Sequence, residues 1–118
     1  MLKAPSDRES ALAKYLMLAL NGPTGGEGDE ERCNRWYEDV HMPDFRKIDA
    51  VTSARRYHVV RGNLPGMEAW PYITAYEIET DDLAAVSKRL ATEVGPADPS
   101  MDRDRSAHIW AIQISGDD

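Results

Sequence analysis

Apolar and polar positions along the 118-residue chain fall into six patterned stretches separated by turn-forming residues. Ala13 to Leu20 is a first strand closed by Asn21-Gly22-Pro23. Tyr15, Met17 and Ala19 lie on one face and Leu16, Leu18 and Leu20 on the other, so both faces need cover. Asn21 to Gly28 reads as a loop. Asp29 is the expected N-cap of a helix with Glu30 and Glu31 in its first turn, and Cys33, Trp36, Tyr37 and Val40 form its apolar stripe. Pro43 is expected to end regular helix, with at most a short turn over Asp44 to Ala50. Thr52 to Arg61 and Trp70 to Glu79 are a second and third strand, paired as an antiparallel hairpin across Gly62 to Ala69. Thr80, Asp81 and Asp82 offer the next cap, and Leu83, Val86, Leu90 and Val94 the buried side of a second helix that Gly95-Pro96 ends. Ala97 to Ser106 is a polar loop, and Ala107 to Ser115 a last strand with His108, Trp110, Ile112 and Ile114 on one face.

Strand, helix, strand, strand, helix, strand is the split βαββαβ order of a ferredoxin-like α+β domain: an antiparallel four-stranded sheet with two helices on one face. Right-handed crossovers place both helices on that face and leave the other bare. The strands are nevertheless apolar on both faces, and a face of many hundreds of Å² left in water exceeds what a monomer tolerates. A second copy packed sheet to sheet, a homodimeric α+β barrel, resolves the conflict.

The length suits one domain, 1–118, with residues 1–11 a loose lead-in. Met1 to Ser10 carries Lys3, Asp7, Arg8 and Glu9 and no apolar run, unlike a secretory signal, and no stretch is apolar enough for a membrane helix. The formal charge of -7 argues against nucleic acid and anionic membranes as partners. One cysteine, Cys33, permits no intrachain disulfide and suits a reducing cytoplasm.

Trp36-Tyr37-Glu38-Asp39-Val40-His41-Met42-Pro43, followed by Ser53-Ala54-Arg55-Arg56-Tyr57, resembles the Trp-Tyr-x-x-x-His-x-Pro and Ala-Arg-Arg-Tyr pattern of EthD-like proteins in the dimeric α/β barrel superfamily. The resemblance spans Lys14 to Glu79. It departs at Ile48-Asp49-Ala50-Val51, where relatives often carry Pro-Gly. It implies a dimeric barrel within a superfamily of lactone isomerases, polyketide cyclases, haem-degrading monooxygenases and dye-type peroxidases.

His41 is the leading catalytic candidate, because imidazole both takes and gives a proton near neutral pH. The alternative is a structural histidine at the helix end. Tyr37, one turn earlier, is either a donor to a developing oxyanion or a core tyrosine. On the second strand Arg56 and His58 share one face, Arg55 and Tyr57 the other, and one arginine is a candidate carboxylate binder. Trp36, Arg56, Tyr57, Tyr72, Tyr76 and Trp110 are the candidate substrate-binding set, the aromatics walling a pocket for a planar ligand or simply forming core and interface. No dinucleotide fingerprint or metal-ligand spacing is present, so no cofactor and no metal is expected. The resulting expectation is a cofactor-independent isomerase, cyclase or lyase acting on an aromatic, lactone or polyketide-like small molecule with His41 as general acid/base. The alternatives are a non-catalytic dimeric ligand-binding protein and a haem-dependent monooxygenase with His41 or His108 on iron.

Overall fold

The computed structural model describes residues 12–117; the expected lead-in over 1–11 lies outside the described residues. Four strands, β1 (Ala13–Asn21), β2 (Val51–His58), β3 (Tyr72–Thr80) and β4 (Ala107–Ile112), form one antiparallel sheet in the order β2-β3-β1-β4. Helices α1 (Asp29–Trp36) and α2 (Met42–Arg46) lie between β1 and β2, and α3 (Leu83–Glu93) lies between β3 and β4. This is the ferredoxin-like βαββαβ arrangement expected from the apolar pattern.

The two faces of the sheet differ as the alternation requires. Met17 and Ala19 of β1, Tyr72, Thr74, Tyr76 and Ile78 of β3 and Ala54 of β2 are buried on one face. Cys33, Tyr37, Met42 and Phe45 from the first helical segment and Val86 and Leu90 from α3 join them in one core. On the opposite face, Leu16, Tyr57 and Ile109 stand exposed, the last two at 52% and 50%. Leu18, Leu20, Ile73 and Ala75 are only partly covered there by their neighbours. All three helices have gone to one side.

The first helical segment departs from the expected pattern at one place. After Trp36 the chain makes a π-turn over Tyr37–His41, closed by the Met42 N–H on the Tyr37 carbonyl, and then runs on as α2. An i→i+5 closure inserts one residue into the turn, so the apolar stripe resumes one position late. Cys33 and Tyr37 are buried as expected, but Val40 is 47% exposed and Met42 and Phe45 take the inward positions. Pro43, expected to end the helix, instead sits at the start of α2. In a regular α-helix its ring would press on the carbonyl four residues back, and the widened turn ahead of it relieves that clash.

Other boundaries shift for local reasons. The N-cap of α1 is Gly28, at φ 82°, where a side chain would be strained; Asp29 instead accepts from the Thr24 hydroxyl and the Gly26 N–H. Asp82 caps α3 as expected, accepting from the Ala85 N–H at 3.0 Å. That helix ends in extended backbone at Val94 rather than in a left-handed glycine, consistent with Pro96 restraining Gly95. Ile48 and Val51 turn inward, so the segment that departs from the EthD-like pattern is part of the core. β4 stops at Ile112, short of Ser115, with the Gln113 N–H still donating to the Lys14 carbonyl of β1 at 2.8 Å. The 97–106 loop is fastened to the β1–α1 loop by a Pro23–Met101 bridge and by the Asp102 N–H on the Gly22 carbonyl.

The slipped stripe gives a direct test. Val40→Asn should change unfolding free energy by less than about 0.5 kcal/mol, whereas Met42→Ala should cost about 2–5 kcal/mol in chemical denaturation. A regular helix through Val40 requires the reverse ranking.

Candidate active site

The π-turn gathers aromatic side chains around His41. Its ring stacks on Trp36 (centroids 4.4 Å apart, 25° between planes) and meets the edges of Tyr37 at 5.1 Å and Phe45 at 5.0 Å. Phe45 in turn stacks on Tyr76 of β3 at 3.9 Å. His41 is partly buried, and burial lowers its pKa to about 4. The Asp44 carboxylate works against that shift, while His108 on β4 adds to it. At neutral pH the imidazole is therefore uncharged, a proton acceptor rather than a donor. Trp110, paired with Met17 in the register and thus on the helix-facing side, is 37% exposed beside the exposed His108.

Tyr37 is directed inward. Its hydroxyl accepts from Asn21 Nδ2 at 2.5 Å, its side chain is 1% exposed, and burial raises its pKa. A group so placed braces the helix against β1, and any direct contact with a ligand requires the surrounding residues to open.

Arg56 forms a second cluster on the β2 side. Its guanidinium lies 4.2 Å from the Tyr37 ring centroid and 4.6 Å from that of Tyr72, between two aromatic faces. Nη1 donates to Asn34 Oδ1 at 2.8 Å. The Tyr72 hydroxyl donates to Glu30 and accepts from Asn34 Nδ2, and the Tyr72 ring stacks on His58 at 4.7 Å. Glu30's hold on the Tyr72 proton raises the pKa of that phenol.

The fold thus brings Trp36, Tyr37, His41, Arg56, Tyr72, Tyr76 and Trp110 to the helix-facing side of the sheet. They lie in two groups: His41 with Trp36 toward β4, and Arg56 with Tyr72 on β2 and β3. Tyr37 stands between them. Tyr57 is elsewhere, on the bare face with Leu16 and Ile109, because adjacent strand residues point to opposite faces. A cleft of about 490 Å³ also opens on the bare side, lined by Leu16, Thr52, Glu77, Glu79, Ala111 and Gln113 among others. Asn21, Asn34 and Thr74 are the polar partners that sequence reasoning missed. Their signal is faint: a polar residue at an inward position of an otherwise apolar strand, as Thr74 is on β3 and Asn21 at the end of β1.

His41 links this site to stability. The unfolded chain binds its imidazole proton near 6.5 and the folded chain only near 4, so folding favours the neutral form. Stability from this group is complete above pH 6.5 and falls as pH drops toward 4, by up to about 3 kcal/mol. Denaturation of wild type and His41→Leu across pH 4–7 should show that slope in the wild type and a shallower one in the variant.

No family model and no curated protein matches the chain. Among solved structures it is similar to a dimeric ferredoxin-like protein of unknown function from Jannaschia sp. CCS1, with a TM-score of 0.60 and 17% identity over 83% of this chain and 97% of that one. At this identity the likeness establishes the ferredoxin-like fold.

Proposed function

We propose that the protein is a homodimeric small-molecule enzyme of the EthD-like type, in which neutral His41 acts as the general base of an isomerase, cyclase or lyase step. Its substrate is an aromatic, lactone or polyketide-like compound. The observation that carries this reading is the π-turn: one inserted residue, costly in helix geometry and frequent at functional sites, falls on Tyr37–His41 and presents the imidazole between Trp36 and Phe45. With its pKa lowered to about 4 the imidazole is unprotonated at neutral pH and so free to act as a base, a weak one suited to an acidic substrate C–H or O–H. Trp36 and Trp110 provide flat apolar walls for a planar substrate.

The homodimer is supported by the bare sheet face, where Leu16, Tyr57 and Ile109 stand in water in a single chain. The Jannaschia protein of the same fold is dimeric. Cys33, buried and free, suits a reducing compartment such as the cytoplasm. One observation favours the second reading, a ligand-binding protein without turnover: Tyr37 is sealed in the core on Asn21, which leaves His41 without an accessible tyrosine partner.

Two measurements test these readings. Turnover of candidate lactones and aromatic ketones should be lost in His41→Ala, and the acid limb of kcat/KM should lie near pH 4 rather than 6.5; ligand binding without turnover in wild type selects the second reading instead. In sedimentation, wild type should run as a dimer and Ile109→Glu, which places a charge on the bare face beside Leu18, should shift toward a monomer.

A further inference from the structure

Arg56 is held in a manner that a purely structural arginine does not need. Its Nε and Nη2 atoms are buried and find no hydrogen-bond partner among the described residues, and no carboxylate of those residues pairs with it. The nearby acid, Glu30, is engaged with the Tyr72 hydroxyl. Arg56 is partly buried as a residue, but two shielded N–H groups of a guanidinium with no paired carboxylate are costly to hold, and the two tyrosine faces offset only part of that cost. Nε and Nη2 are moreover the side-on edge of the guanidinium, whose two parallel N–H groups match the two oxygens of a carboxylate. Nη1, on the other edge, is the atom Asn34 has taken.

Neighbouring groups have the same character. Thr74 is the cross-strand partner of Arg56 and Tyr76 lies one pair along on the same face; both are buried at 1% or less, the Tyr76 hydroxyl is without a partner, and the Thr74 hydroxyl has only the Tyr37 phenol beside it, which leaves its own proton to donate. Asn21, at 2% exposure, bonds Tyr37 through Nδ2 and leaves Oδ1 unpaired. Buried polar atoms are almost always satisfied, and four orphans, Arg56 Nε and Nη2, Asn21 Oδ1 and the Tyr76 hydroxyl, on one sheet face mark a place built for polar groups from outside the chain. The Tyr37 and Tyr72 rings flank the guanidinium, so a ligand reaching its free edge between them is a flat anion rather than a tetrahedral one, and the neighbouring side chains must part to admit it.

We infer that Arg56 is the anchor for a carboxylate-bearing small molecule, taken side-on by Nε and Nη2 with the Thr74 and Tyr76 hydroxyls as further donors. Asn21 Oδ1 accepts from a hydroxyl or amide adjacent to that carboxylate. This deepens the preceding reading by naming an acidic group on the ligand, and it rests on that reading only in taking the ligand to be a small molecule.

The test uses sodium benzoate as probe, with benzamide as the neutral isostere and inorganic phosphate at matched ionic strength. Benzoate is expected to shift the Nε–H resonance of Arg56, assigned by its absence in Arg56→Lys, and to raise the melting temperature; benzamide and phosphate should do neither. Arg56→Lys keeps the charge but not the two-pronged edge, and should weaken benzoate binding about tenfold or more, with a smaller loss in Thr74→Val. Binding should persist in His41→Ala, so a failed catalytic reading and a failed anchor are told apart. The inference is overturned if benzoate and benzamide act alike, if only phosphate binds, if no probe binds, or if Arg56→Lys binds benzoate as tightly as wild type; these results leave the orphaned atoms to internal water.

Discussion

Tyr37 is the side chain through which the helical layer, the sheet and both candidate clusters are joined. Its hydroxyl is tied to Asn21 on β1, one face of its ring carries the Arg56 guanidinium from β2, and its edge meets Trp36 and His41. A single buried ring thus fixes the height of α1 over two strands. It also decides how far apart the imidazole and the guanidinium stand, since the two flank it. The hydrogen bond it makes is worth little net, but leaving either group unpaired in the core would cost the full desolvation penalty.

The π-turn beginning at that residue turns a packing constraint into a site. A regular helix would have placed Val40 inward and turned His41 with it; the added residue moves Val40 into solvent and leaves the imidazole in a ring of aromatics. Desolvation there outweighs the pull of Asp44, which fixes the neutral form of the base. Pro43, which sequence rules treat as a stop, is instead the reason the wider turn precedes α2.

The sheet carries two kinds of unfinished business on its two faces. On the bare face the deficit is apolar: Leu16, Tyr57 and Ile109 lack cover that another surface must supply. On the helix face it is polar: Arg56, Tyr76 and Asn21 keep buried hydrogen-bonding groups that the chain leaves unpaired. The first kind calls for a broad apolar partner and the second for a small polar one. The physics therefore separates assembly from ligand recognition by the face on which each occurs.

The amino-acid sequence by itself determined the element order, the two-faced strands and the capping stretch Thr80 to Asp82, from which the structure selects Asp82, because these rest on periods of two and 3.6 residues and on local hydrogen bonding. It also placed Arg56 and Tyr57 on opposite faces, since strand alternation depends on no distant contact. Only the tertiary structure decided where the stripe slips: Pro43 is a local signal that the helix is disturbed, but whether the chain stops there or widens and runs on is settled by the packing of Met42 and Phe45 on the sheet. It alone decided that the guanidinium of Arg56 lies between two tyrosines with one edge unpaired. Tyr37 and Tyr72 are 35 residues apart in sequence and meet across it only once the sheet has closed.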